Sequence, residues 1–405
     1  MGATSLSIAT LIALGGLSLS ASEADALAIS STIQQRHMPF GGILDPIFSA
    51  PDSDQIIGYT RCGDSSIWTG HYLAAESFRY KVTRSPDALA NVLNAERGLR
   101  ALVDVTGTDL LARCLVPADS PFALGIAQEE QQHGVYTGSL NQQAYFWIGD
   151  TSRDQYSGVM FGLGVAYDMV DDPLVHTEVA ALTTRLVDFL RHNNWAIVMP
   201  DGSISTIFLG RADQQLAFLQ LARHMNSSRF STAYTATAIL GAVETLAPIS
   251  IEVLDPDGSY LKFNLDTINL YSLIRLEGNS FFKPFYTKAY DILRRTTDDH
   301  HNAHFNMIDR ALKGPNEARD ASTRFYLELW LQRPRRDFHV DLNGVYPACG
   351  TNRACDPIPI EKRVTTDFLW QRSPFQLEGG GDGFIESAGI DYILPYWMAR
   401  YYGVI

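Results

Sequence analysis

Ser65-Ser-Ile-Trp-Thr-Gly-His-Tyr-Leu-Ala-Ala-Glu-Ser-Phe-Arg-Tyr-Lys-Val-Thr-Arg84, followed by Ser85-Pro86-Asp87, is the stretch whose reading decides the fold. Ile67, Tyr72, Leu73, Ala75, Phe78 and Val82 recur broadly every three or four residues, which predicts a helix with one apolar face. Ser85-Pro86-Asp87 breaks it, and proline suits the first turn of a new helix. The second helix is predicted to run to about Val105 and to stop at Thr106-Gly107. Together they make a helical hairpin.

The same unit recurs down the chain. Helices predicted over Ser152–Val170 and Leu174–Asn193 flank an Asp172-Pro173 break. Further pairs are predicted at Ser205–Met225 with Ser227–Leu246, Tyr260–Leu276 with Ser280–Thr296, and His301–Leu312 with Asn316–Leu331. A last helix over Phe384–Tyr402 closes the series. Residues 30–57 leave room for one more helix or for an extended strap. Strand signal is slight, and no Rossmann-like alternation of strand and helix occurs. The expected class is therefore all-α. Repeated hairpins form either an open solenoid or a closed ring. Long insertions at 107–150 and 332–383 favour the ring, whose loops gather on one face.

Composition sets the outer limits. The 405 residues carry 46% apolar and 19% charged side chains, which describes a globular chain with a large core. A net charge of −13 argues against nucleic acid or an anionic membrane as a partner of the whole surface. Arg333, Arg335 and Arg336 form a local basic cluster, read as a solvated loop ahead of an anion contact. Residues 1–26 read as an export signal, with an apolar run from Leu6 to Leu19 and small residues at Ala24-Asp25-Ala26, although no Lys or Arg precedes the run. The run is short and interrupted for a membrane span, which needs about 20 apolar residues. A secreted or periplasmic location is expected. Residues 27–59 then form an N-terminal extension and 60–405 a single domain. Four cysteines suit an oxidising compartment; Cys349 with Cys355 and Cys62 with Cys114 is one of three possible connectivities. No C-x-x-C or neighbouring His points to zinc, so no metal or cofactor is expected.

Hairpins of this kind, with Asp64-Ser-Ser-Ile-Trp-Thr-Gly70, Gly149-Asp-Thr-Ser-Arg-Asp-Gln-Tyr156 and Leu369-Trp-Gln-Arg-Ser-Pro-Phe375 among their segments, resemble the six-hairpin, (α/α)6 toroid superfamily over residues 60–405. That superfamily includes many glycoside hydrolases and polysaccharide lyases. The resemblance implies parallel inner helices whose N-termini meet at one mouth, and a polysaccharide or oligosaccharide as substrate. It names no reaction and no oligomeric state.

Acidic or Gly-rich loops precede the helices destined for that mouth: Asp64, Asp150, Asp201-Gly202, Asp255-Pro-Asp-Gly258 and Gly381-Asp-Gly383. Taken singly, Asp64, Asp201 and Asp255 read as helix N-caps, worth about 1 kcal/mol each. Asp255-Pro-Asp-Gly258 lacks the remaining calcium-loop ligands and reads as a tight turn. Gly149–Tyr156 is denser, placing Asp150, Arg153, Asp154 and Tyr156 at one helix start with Trp147 just upstream. The first turn of a helix favours an ionised carboxylate, so Asp154 reads as a base or a hydrogen-bond acceptor, with pairing to Arg153 as the structural alternative. Glycoside hydrolysis needs two carboxyl groups across the scissile bond. Asp64 is the expected partner, with Asp150, Glu378, Asp382 and Glu386 as rivals. Glu76 reads as a buried ion-pair partner of Arg79.

Trp68, Trp147 and Trp370 offer flat faces for sugars; each alone reads first as a core residue, and acidic neighbours add weight to Trp68 and Trp147. His71, His304, Asn306 and Arg372 complete the set of candidate substrate contacts. A Tyr or His base, such as His71 or Tyr72, keeps elimination as the alternative reaction. A non-catalytic glycan-binding or assembly role on the same scaffold is the other reading. No nucleophile elbow, P-loop or dinucleotide fingerprint is present.

Overall fold

A computed structural model describes residues 21–258, 260–350, 355–365 and 367–405. The apolar run of the predicted export signal lies outside these residues. Its proposed small-residue end does not: Ala24-Asp25-Ala26 sits in the first turn of helix α1 (Glu23–Thr32). Ser22 and Asp25 cap that helix reciprocally, Asp25 N–H donating to Ser22 Oγ at 3.3 Å and Ser22 N–H to Asp25 Oδ2 at 3.0 Å. Ala26 is fully buried.

Two short strands follow, β1 (Asp45–Phe48) and β2 (Ile56–Thr60), before the first hairpin of α2 (Ser65–Thr83) and α3 (Pro86–Asp104). Ser85 caps α3 by accepting from Asp87 N–H, with Pro86 at its first position. Then come β3 (Cys114–Pro117), α4 (Ala123–Glu129), β4 (Val135–Leu140) and β5 (Gln143–Ile148). The second hairpin is α5 (Arg153–Met169) with α6 (Pro173–His192), the latter capped by Asp172. A β6 (Ala196–Val198) and β7 (Ile204–Ile207) ribbon leads into α7 (Ala212–Met225), α8 (Ser227–Gly241) and α9 (Leu246–Glu252). Helices α10 (Tyr260–Leu276), α11 (Lys283–Thr297), α12 (Ala303–Lys313) and α13 (Glu317–Trp330) complete the central region. Strands β8 (Arg336–Asp341) and β9 (Glu378–Glu386) and helix α14 (Ile390–Tyr401) finish the chain.

The expected all-α (α/α)6 toroid is overturned by these strands. Among the described residues, helix makes up 56% and strand 12%, in three sheets ordered β2-β1-β9-β8, β3-β5-β4 and β6-β7, so the fold is mixed α and β. The predicted helix at Ser205–Met225 begins only at Ala212, because Ile204–Ile207 pairs with Ala196–Val198. The predicted helix from Phe384 begins at Ile390, because Glu378–Glu386 pairs with Arg336–Asp341. The first sheet joins the two ends of the chain, with Ile47 opposite Ile385. Strands this short carry little local pattern, whether the partner is a sequence neighbour, as for β6 and β7, or distant, as for β1 and β9.

Among the helices, α2 packs on α5 and α14, α10 packs on α5, α7 and α12, and α12 packs on α14. At the α2–α5 contact the two backbones approach closely. A Cβ added at Gly70 would lie 2.1 Å from the carbonyl oxygen of Gly158, and one at Gly162 would lie 2.3 Å from that of Gly70. A Cβ at Gly158 would meet the backbone oxygen of Ile67 at 2.7 Å. Only hydrogen fits between these backbones. The basic cluster is also corrected: Arg333 donates to Val364 O at 2.8 Å and Arg335 to Ser387 O at 3.1 Å. Arg336 donates to Ser53 O at 2.8 Å, so these arginines stitch loops together and are not solvated.

This packing makes a contrast that thermal or urea melts can read. Gly70→Ala and Gly162→Ala are expected to destabilise by about 1–3 kcal/mol or more, because the added methyl meets backbone that cannot yield. Gly125→Ala in α4, where a Cβ meets nothing within 4 Å, is expected to be neutral or to stabilise by about 0.4–1 kcal/mol. Equal midpoints for all three variants would show that α2 and α5 are free to separate.

Candidate functional site

Residues Cys62–Asp64 form one tight turn ahead of α2, reached through Arg61 in the left-handed region at φ 62°. A disulfide from Cys62 to Cys114 fastens that turn to β3; the other cysteine pair is Cys349 with Cys355. Arg113, next to Cys114, completes the clamp. Its guanidinium donates to Gly63 O at 2.9 Å, to Asp150 O at 2.9 Å and to Ser152 Oγ at 3.2 Å. One fork-shaped cation thus holds the start of α2 beside the start of α5. Gly63 N–H donates to Glu130 Oε1 at 2.7 Å from the opposite side.

That juxtaposition brings Asp64 and Asp154 together. Asp64 occupies the N-cap position of α2, yet its carboxylate makes no capping bond. Asp201 and Asp255 are turn residues, accepting from Ser203 N–H at 2.9 Å and Gly258 N–H at 3.2 Å. Asp154 lies in the first turn of α5, where the Ser152 hydroxyl faces both its carboxylate and Gln155 Oε1. Gln155 is fully buried between the two acids. Its Nε2 lies 3.5 Å from Asp64 Oδ1, 3.4 Å from Asp154 Oδ2 and 3.4 Å from Gly63 O. Two amide hydrogens therefore serve three acceptors, and protonating Asp64 relieves the shortfall. Burial pushes the Asp64 carboxyl up, the charge of Asp154 adds to it, and Arg113 only partly opposes them, leaving it at about 6.

Asp64 opens onto a cavity of about 580 Å³ whose walls include Tyr260, Asp367, Gln371, Arg372 and Phe375. A narrow slot shares Asp64, Asp367 and Gln371 with it and runs inward to Trp68 and Phe368. Asp367 is held by Arg372 at 2.5 Å and by Arg61 at 3.6 Å, and Arg61 also binds Asp45 at 2.9 Å. A size of several hundred Å³ with convergent polar groups suits a small-molecule or glycan site. A larger cavity of about 750 Å³ lies elsewhere, among Arg294, Asn306, Lys313 and Arg319 of α11–α13.

The remaining candidates divide into three groups. Trp68, His71, His304 and Trp370 converge directly beneath Asp64. The Trp370 ring stacks on His71 at 5.3 Å and lies 4.8 Å from His304, and Trp68 lies 5.2 Å from His71. Burial pulls the His71 imidazole down to about 4, so it stays neutral, with Nδ1–H donating to Ile67 O and Nε2 accepting from Asn264. Tyr72 is also fully buried and accepts from Gln34 at 2.8 Å.

A second group serves packing. Trp147 is buried and stacks on Tyr136 at 4.5 Å, and Tyr156 is buried with its edge against Phe208. Asn306 accepts from Arg294 at 2.7 Å and lines the other cavity. Glu76 pairs with Arg79 at 2.9 Å. Glu386 is enclosed by His37 and Arg336; against the upward pull of burial, these and Arg335 hold it at about 2.

The third group is peripheral. Asp150 is exposed at φ 47° and contributes its carbonyl to the Arg113 clamp. Glu378 is exposed at the start of β9, 3.6 Å from His339, and Asp382 is exposed on the same strand. Arg153 is half-buried at the start of α5, and Arg372 stands at the cavity rim. Sequence reasoning missed Gln155, Arg113, Arg61 and Asp367. Gln155 carried one signal, as the residue three positions after the N-cap in a Ser152-x-x-Gln155 capping box; the others reach the site only through tertiary contacts.

The strained carboxyl has a stability signature. Its folded value of about 6 exceeds the ordinary 3.8, so its stabilising contribution is complete below pH 3.8 and lost as pH rises through 6. The loss is on the order of 3 kcal/mol at most. Asp64→Asn should therefore raise the urea midpoint at pH 8, with the gain vanishing near pH 4. A lower midpoint for the variant at pH 8 would instead make Asp64 a structural ion-pair partner. No protein-family model matches the chain and no curated protein matches it, so the chemistry of this site is argued from its own geometry.

Proposed function

We propose that this chain is a secreted, glycan-active hydrolase in which Asp64 is the general acid and Asp154 the second carboxylate. The observation that carries this reading is the Gln155 amide, within hydrogen-bond reach of both acids, one of which, Asp64, lines an open cavity. The two carboxylate oxygens lie within about 7 Å of each other, the sum of those two contacts. That range includes both the close pairs of retaining enzymes, about 5–5.5 Å, and the lower end of the inverting range, about 6.5–9.5 Å. Two carboxyl groups with divergent environments are the usual basis for an acid and a base in one site. Asp64, raised to about 6, keeps a proton to give to the leaving oxygen in mildly acidic solution. Asp154 then either activates water or attacks the anomeric carbon.

Elimination fits less well. His71 and Tyr72, the bases that reading needs, are fully buried and already engaged by protein partners. Secretion is supported by two cysteine pairs at disulfide distance, a pattern of oxidising compartments.

The test is a panel of polysaccharides incubated with purified protein, following reducing ends and unsaturated uronate absorbance separately. Reducing ends should appear alone. Activity on the substrate found should fall as pH rises through about 6, where Asp64 loses its proton. Asp64→Asn and Asp154→Asn should each cut kcat by about 10²–10⁴-fold, whereas Asp150→Asn and Glu378→Gln should leave it unchanged. Full activity in Asp64→Asn, or unsaturated products, would overturn the assignment.

A further inference from the structure

Beneath Asp64 lies a chamber that the chain itself fills. Its walls are Trp68 and His71 of α2, Phe161 of α5, Asn264 of α10 and His304 of α12. Its occupant is Trp370, fully buried against His71, His304 and Phe368. The chamber is polar where it should be dry. Both ring nitrogens of His304, Asn264 Oδ1 and Trp370 Nε1 are buried without a hydrogen-bond partner among the described residues. Each such group costs about 1–3 kcal/mol relative to a satisfied one. Three of these atoms, on His304 and Asn264, belong to the walls, and the fourth belongs to the indole itself.

The occupying segment is held by turn bonds between Phe368 and Gln371 and by side-chain contacts, with no ladder bonds. Asp367–Gln371 has no helix or strand, and the slot from Asp64 runs along its seam between Trp68 and Phe368. Its backbone is held from outside at Leu369, whose N–H donates to Asp391 at 2.9 Å and whose carbonyl accepts from Asn302 at 3.3 Å. Asp367 adds ion pairs at the open rim. Apolar contact of Phe368 and Trp370 supplies much of the remaining hold. Segments with few ladder bonds are the ones that open below the global unfolding free energy.

We propose that Asp367–Gln371 is a displaceable plug and that the chamber beneath it is a subsite for one neutral pyranose ring. The aromatic walls match the faces of a sugar ring, and the unmet polar atoms of His304 and Asn264 match its hydroxyls. Both imidazoles are held neutral by burial, which suits an uncharged ligand over a uronate. The chamber adjoins Asp64 through the slot, so a ring bound there lies next to the acid. This inference rests on the hydrolase reading of Asp64 for its ligand class, while the plug itself stands on packing alone.

Native-state hydrogen exchange on the full-length protein tests the plug without any ligand. Residues 367–371 should exchange about 100-fold faster than 303–313 of α12. Equal protection of the two segments would make Trp370 a permanent part of the core and end the proposal. In the Asp64→Asn protein, cellopentaose or mannopentaose should speed exchange at 367–371 further. Trp370→Gly should bind the same pentasaccharide about tenfold tighter, because no closed state competes. A pentasaccharide that the wild-type protein cleaves while leaving 367–371 unchanged in exchange overturns the subsite and leaves Asp64 as the acid. Rapid exchange and tight binding by Trp370→Gly, with no cleavage by the wild-type protein, uphold the subsite and overturn the hydrolase.

Discussion

The backbones of α2 and α5 touch, and most of the site follows from that contact. Gly70, Gly158 and Gly162 clear side chains from the crossing, so that backbone atoms stand where Cβ atoms would be. Two helices held this closely near their starts bring their first turns side by side. Asp64 and Asp154 stand at the starts of these two helices, and their proximity is a consequence of the crossing. A glycine placed for helix propensity alone would be a defect, costing about 1 kcal/mol relative to alanine. Here it sets the spacing of two acids.

Arg113 and the Cys62–Cys114 disulfide then fix the register of the two helix starts. The guanidinium spends its hydrogens on Gly63 O, Asp150 O and Ser152 Oγ, all neutral acceptors. It therefore positions the turns without directly pairing with either carboxylate. Asp64 is left with a buried environment, a neighbouring anion and a shared amide for a donor. Those conditions raise its pKa, and a stable fold tolerates the cost because the clamp and the helix crossing hold the geometry. A destabilised arrangement of this kind is characteristic of sites that do chemistry.

The C-terminal third builds the walls around this pair. Arg333, Arg335 and Arg336 donate to backbone carbonyls of distant loops, which ties the long insertion after β8 and the first sheet to the helices. Leu369 reaches the starts of α12 and α14 through Asn302 and Asp391. The wall that carries Asp367, Phe368 and Trp370 is thus made of irregular chain resting on helix N-termini. Rigid helices supply the acids, and a less regular loop supplies the cover.

Helices were legible in the sequence because their bonds and side-chain contacts are local. Periodicity placed Tyr260–Leu276 to the residue, and the Ser85, Asp172, Asn302 and Asn316 caps mark helix starts that the chain announces within three residues. The acids Asp64 and Asp154 were legible for the same reason, as charged residues at helix starts. The sheets were not, because their strands are short and carry too little local pattern to declare themselves, and β1 has a second partner, β9, more than three hundred residues away. Nor could local pattern separate Trp68 and Trp370, under the acids, from Trp147, which stacks on Tyr136 within a sheet. Residue type and spacing determined what could be charged and what could stack. Burial decided the rest: desolvation by surrounding chain holds Asp64 half-protonated near pH 6, and packing seats Trp370 over His304. Both are properties of packed neighbours that no stretch of sequence contains.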